Sequence, residues 1–166
     1  MRNKLKVAIF MGSANDSEVM NEAAQFLTEM AVPHFITVTS AHRSPARTRR
    51  LIGEMETAGV QVFIVGAGGA VHLGGVVAAE TIRPVIGVPL SGSPLLGLDA
   101  LLATAQMPGG VPVAAMAIGK AGARNAAVLA CEILALKDAA LARKIARWKK
   151  RMEQDVTDVA GKLKID

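Results

Sequence analysis

Tyrosine is absent from this chain, tryptophan occurs once and phenylalanine four times. Binders of single-stranded nucleic acid stack successive bases on aromatic rings, and so thin a supply offers no such platform. Cysteine is almost as scarce: Cys131 alone permits neither an internal disulfide nor a thiolate metal site. It sits in an Ala- and Leu-rich helical stretch, where a packed and inert thiol is expected. The three histidines, His34, His42 and His72, lack the spacing of a metal site, so no zinc is expected. Long apolar runs are missing as well, because Pro89, Pro94, Pro108, Pro112 and many glycines interrupt every candidate for a span of about 20 residues. Met1 to Lys6 carries Arg2, Lys4 and Lys6 but no apolar leader or small-residue cleavage site, which predicts a cytoplasmic protein with no membrane partner.

Charge is also missing where it would be looked for. Between Pro84 and Gly119 the only charged residue is Asp99. With 51% hydrophobic residues and a mean hydropathy of +0.35, that surface needs a cover, and burial between subunits is the expected one. The net charge of +5 would permit a nucleic-acid partner, but its location argues otherwise. Lys137, Arg143, Lys144, Arg147, Lys149, Lys150 and Arg151 crowd the C-terminal helix, where Leu141, Ile145, Trp148 and Met152 recur at spacings of four, three and four. One stripe packs and the basic residues face elsewhere, a solvated face on a docked helix.

What the chain does contain is a series of short β-branched runs alternating with helical periods. The segments 6–10, 35–38, 60–65, 84–88 and 112–118 read as buried strands. Met20, Ala23, Ala24 and Leu27 mark one helical face and Leu51, Ile52, Met55 and Ala58 another, with further helices over 73–81, 98–106 and 123–136. The 166 residues suffice for one core, and no linker or repeat divides them, so a single domain over 1–166 is expected. An alternating β-α series folds as a parallel sheet with helices on both faces. Ligands of such sheets sit beyond the carboxyl ends of the strands, which directs attention to the loops beginning at Met11, Ser40, Gly66 and Pro89.

Ser40-Ala41-His42-Arg43-Ser44-Pro45 puts a proton carrier beside an anion clamp where a strand gives way to a helix. Imidazole exchanges protons near neutral pH without special tuning, and the guanidinium fork grips phosphate or carboxylate. Gly12-Ser13-Ala14-Asn15-Asp16-Ser17 opens the first helix, where amide donors and the positive end of the helix dipole favour an anion. Ser13 and Asn15 add donors, and Arg43 closes from the next loop. Asp16 would repel a phosphate but accepts from sugar hydroxyls, which points to a ribose phosphate. Simple helix capping by Ser13, Asp16 or Ser17 accounts for the same letters. The third loop, Gly66 to Gly75, surrounds His72 with five glycines and allows backbone to approach a flat ring. His34 has no polar neighbours and reads as a structural histidine. Both the dinucleotide fingerprint and the P-loop fail, since Val71 and Ala114 stand where glycines are required.

Gly-Ser-Ala-Asn-Asp-Ser at 12, Ser-Ala-His-Arg-Ser-Pro at 40, Gly-Ala-Gly-Gly-Ala-Val-His-Leu at 66, Gln-Met-Pro-Gly-Gly-Val-Pro-Val at 106 and Ala-Ile-Gly-Lys-Ala-Gly-Ala at 117 together resemble the PurE family of purine biosynthesis, in its bacterial-type branch of N5-carboxyaminoimidazole ribonucleotide (N5-CAIR) mutases. The likeness runs from about Val7 to about Trp148. It implies a flavodoxin-like three-layer α/β/α sandwich with a five-stranded parallel sheet and a C-terminal helix, a homo-octamer, and conversion of N5-CAIR to 4-carboxyaminoimidazole ribonucleotide without metal or organic cofactor. Carried over by position, Ser13, Asp16 and Arg43 match phosphate and ribose contacts, Ser40 and Ala41 line the pocket, and His42 matches the catalytic histidine. Gly68, Ala70, His72 and Leu73 match the second substrate loop, with His72 supporting His42. Asn15 replaces the usual serine and Gly74 the usual proline. The alternatives are a carbon dioxide-dependent carboxylase of the same family, whose second loop lacks the Gly68 to Leu73 pattern, and a non-catalytic nucleotide-binding module. Gln106, Met107 and Pro108, in the charge-poor region, are expected to reach a neighbouring subunit's site.

Overall fold

The computed structural model describes residues 4–163. Met1–Asn3, on which part of the N-terminal reading rests, lie outside the described residues. Five parallel strands form one sheet: β1 Val7–Met11, β2 His34–Val38, β3 Val62–Gly68, β4 Val85–Leu90 and β5 Ala114–Ala115. Their order is β2-β1-β3-β4-β5, the flavodoxin-like arrangement in which the chain changes direction between β1 and β3. The helices are α1 Ser17–Glu29, α2 Pro45–Thr57, α3 His72–Glu80, α4 Leu98–Ala105, α5 Lys120–Ala135 and α6 Ala139–Lys162.

Strand alternation assigns the two faces. Val7, Ile9 and Met11 point to the layer built by α1, α5 and α6, while Ala8 and Phe10 point to the layer built by α2, α3 and α4. Both faces are covered, which is why the strands read as continuous apolar runs. The small side chains of α5, Ala123, Ala126, Ala127 and Ala130, are fully buried and let α5 lie close to α1 and the sheet. Closest of all is Gly122, where a Cβ would stand 1.6 Å from the carbonyl oxygen of Ala117. Only glycine fits there.

The last strand is shorter than its sequence suggests. Of 112–118, only Ala114–Ala115 pair with β4. Pro112 has no N–H to give to a ladder, yet the segment still follows β4, because Met116 N–H donates to the Gly87 carbonyl at 2.9 Å and Gly119 N–H to Pro89 at 2.9 Å. The basic C-terminal helix docks as its pattern implies for its first half: Leu141 and Ile145 are buried, and Trp148 meets Phe26 edge-on at 4.9 Å between ring centroids. Met152 is not covered, at 41% exposure. No helix among the described residues is long and apolar enough to cross a membrane.

Candidate active site

The loops leaving β1, β2, β3 and β4 converge on one cavity of about 580 Å³ at the carboxyl end of the sheet. All eleven residues singled out in the sequence line it: Ser13, Asn15, Asp16, Ser40, Ala41, His42, Arg43, Gly68, Ala70, His72 and Leu73. The strand order explains the convergence, since β1 lies between β2 and β3 and brings together loops thirty residues apart in the chain.

The β1 loop is organised by its own side chains. Ser13 caps a single 3-10 turn over Ala14–Asp16 in a capping box: the Asn15 N–H donates to Ser13 Oγ at 3.3 Å, and the Ser13 N–H donates to Asp16 Oδ2 at 2.9 Å. Two amide donors expected for an anion are therefore already engaged, and the donors left facing the cavity are the Ser13 hydroxyl, the Asn15 amide and Arg43. The capping and ligand readings of these letters are compatible, because the box holds Asp16 in the cavity wall. Burial pushes the Asp16 carboxyl above its ordinary range, an effect the Ser13 N–H only partly offsets.

The β2 loop is held by two serines. Ser44 Oγ accepts from the Ser40 N–H at 3.1 Å and donates to the Ser40 carbonyl at 3.1 Å. Ser40 Oγ accepts the Arg43 N–H at 3.2 Å. Pro45 takes the first helical position of α2, where its missing donor costs nothing. Beneath the loop, a buried Thr39–Thr48 hydroxyl bond of 2.8 Å ties it to α2. Arg43 bridges back across the site, donating to the Gly12 carbonyl at 3.2 Å.

His42 and His72 meet directly. Nε2 of His42 lies 2.5 Å from Nδ1 of His72, with the rings perpendicular and their centroids 4.6 Å apart. A contact between two ring nitrogens requires an N–H on one and a lone pair on the other, so the pair shares a proton and fixes one tautomer against the other. His72 opens α3 rather than ending the loop before it. Its position is set by Val71, a buried β-branched residue held at φ 48°, in the left-handed region that such side chains avoid. Strain of this kind, beside the two imidazoles, is held in place by the packing of Val71 in the core.

Sequence reasoning did not name Gly92, Ser93 and Pro94, which complete the cavity from the β4 loop. Ser93 Oγ donates to Asp99 at 2.8 Å, so the one charged residue in 84–119 anchors that wall. The charge-poor composition had marked this loop only as an interface. Met107, expected at a neighbour's site, instead lines a cavity of about 440 Å³ behind His72 of its own chain. His34 stands off the cavity, its Nδ1 2.9 Å from the Val32 carbonyl. Cys131 is buried, and desolvation pushes its thiol up to about 12. Lys120, at the Gly-Lys step that failed as a P-loop, pairs with Glu18 at 2.6 Å.

An open parallel sheet with this strand order, carrying a coupled pair of imidazoles beside an arginine at its switch point, defines an α/β enzyme of the flavodoxin-like class. Within that class the chain belongs to the AIR carboxylase family, whose model matches residues 6–155. It is 48% identical over 158 residues to the N5-carboxyaminoimidazole ribonucleotide mutase of Thermotoga maritima, covering 95% of this chain and 91% of that protein. The Escherichia coli K12 mutase of the same name is 46% identical over 156 residues, with 94% and 92% covered. Among solved structures, Treponema denticola PurE superposes with a TM-score of 0.87 at 26% identity, over 96% of this chain and 98% of that one.

Proposed function

We propose that this chain is an N5-CAIR mutase, an isomerase of purine biosynthesis that moves a carboxylate from an exocyclic nitrogen to a ring carbon of an aminoimidazole ribonucleotide. Relatives of that name at 46–48% identity over nearly the whole chain support it. The observation that carries the chemistry is the His42–His72 contact over the same cavity as Ser13, Asp16 and Arg43.

In this reading the Ser13 hydroxyl, Asn15 and Arg43 hold the 5′-phosphate, and Asp16 accepts from the ribose hydroxyls. Ser40, Ala41, Gly68, Ala70 and Leu73 enclose the flat heterocycle. The carbamate C–N bond breaks to release carbon dioxide, and the departing nitrogen takes a proton from His42. The electron-rich ring carbon then attacks the trapped carbon dioxide, and the proton lost from that carbon returns to His42. Atoms and protons balance within one substrate, so no outside reactant is consumed. His72, in contact with His42, fixes which ring nitrogen carries the proton. Proton transfer of this kind accounts for about 10²–10⁴-fold in rate, and holding the gas beside the carbon supplies more.

The test is the ultraviolet change when purified protein meets N5-CAIR in a buffer free of ATP and metal. Conversion under these conditions is expected. No change with folded protein would favour the non-catalytic module, and turnover only with aminoimidazole ribonucleotide and bicarbonate would favour the carboxylase. The reading includes a cytoplasmic homo-octamer, supported by the exposed Leu95, Leu96, Leu98 and Leu102 of the charge-poor segment.

A further inference from the structure

The C-terminal helix is longer than the body it docks on. Up to Trp148 it packs on α1 and α5, but Met152, Val156 and Val159 continue the same stripe with exposures of 41%, 71% and 60%. The stripe 145, 148, 152, 156, 159 has spacings of three, four, four and three, which read the same in both directions. A parallel flank has the same property: Lys144, Arg147, Arg151, Asp155 and Asp158. On that flank the charge changes sign across Arg151. The basic half borders a groove of about 640 Å³ between α6 and the end of α1, lined by Glu29, Met30, Lys144, Arg147, Lys150 and Arg151. Arg147 and Asp155 make no ion pair among the described residues.

We propose that this arm docks on a second copy of the chain, the two α6 helices running antiparallel about a two-fold axis near Arg151. A two-fold contact must be self-complementary, and this flank is. With the axis at residue 151, Asp158 of each copy faces Lys144 of the other and Asp155 faces Arg147, while Val156 and Val159 lie along the Met30 lip of the partner's groove. The opposite charges select the antiparallel arrangement, since parallel helices would set like against like. A free helix exposing this stripe to water would leave its apolar side chains uncovered; the partner's groove covers them. The inference is independent of the reaction chemistry, and its test reads association alone.

Sedimentation of the intact protein with Arg147→Asp, with Asp155→Arg, and with both tests the arrangement. Arg147 and Asp155 are eight residues apart, about 12 Å along one helix, too far to pair within a chain. Each single variant is expected to weaken association at least tenfold, with helix content by circular dichroism unchanged, and the double variant to restore it. Unchanged association in both single variants, as an arm folded on its own body or held by an unrelated partner would give, overturns the proposal. So does a double variant no better than the singles. Independently, Arg151→Cys is expected to form an intermolecular disulfide under mild oxidation, with buried Cys131 giving no background; its failure to form counts against an axis at 151.

Discussion

His42 and Asp16 separate two kinds of contribution at the scale of single residues. Replacing His42 by asparagine keeps a polar side chain of similar reach but removes the group that exchanges the proton. Ligand affinity measured by calorimetry is expected to stay within a few-fold of the parent, while kcat falls by about 10²–10⁴-fold. Asp16 has the opposite balance. Its carboxyl is held above the ordinary range by burial, so the folded chain binds that proton more tightly than the unfolded chain does. Stability from this group is therefore fullest below the unfolded value of about 4 and declines as pH rises toward the folded value, leaving a penalty at neutral pH. Asp16→Asn keeps an acceptor for the Ser13 N–H and removes the penalty. Its Tm is expected to exceed the parent's at pH 7, with the gap closing below pH 4, while substrate affinity drops for want of the ribose acceptor. The identities of these residues were legible in the sequence, because each type has one chemistry to offer. The 2.5 Å contact between His42 and His72 was not: thirty residues separate them, and only the order β2-β1-β3 brings their loops together.

Elements were legible where one rule dominated and blurred where two competed. Buried β1, β3 and β4 appear as apolar runs because both faces are covered, and Pro45 marks the start of α2. β5 shrank to two residues because apolar composition favours a strand while Pro112 and the preceding glycines deny it a regular ladder. Gly122 shows a constraint no periodicity carries. Alanine would favour the helix there by about 1 kcal/mol, yet its Cβ would stand 1.6 Å from the Ala117 carbonyl oxygen. The steric term wins. Gly122→Ala is expected to cost about 3 kcal/mol, lowering Tm by roughly 6–12 °C in a thermal melt followed by circular dichroism.

At the scale of the whole molecule, the fold follows from the alternating pattern, and the position of the site follows from the fold. The convergence of all the nominated residues on one cavity reflects a general property of open parallel sheets, whose loops meet where strand order reverses. Less of the outer surface could be read. The charge-poor run marked an uncovered region, but its loop also builds the cavity wall through Ser93 and Asp99, a double use that composition cannot separate. The far half of α6 is similarly ambiguous in one dimension: its stripe has the spacing of a docked helix, and only the end of the body beneath Trp148 shows that the rest is uncovered.

Trp148 rests edge-on against Phe26 where α6 leaves the body, and the chain has no tyrosine. All intrinsic emission excited near 295 nm therefore comes from one fluorophore, far along the chain from the catalytic loops, and it reports the seating of the terminal helix. Detachment of that helix can be timed by light alone, separately from events in the cavity.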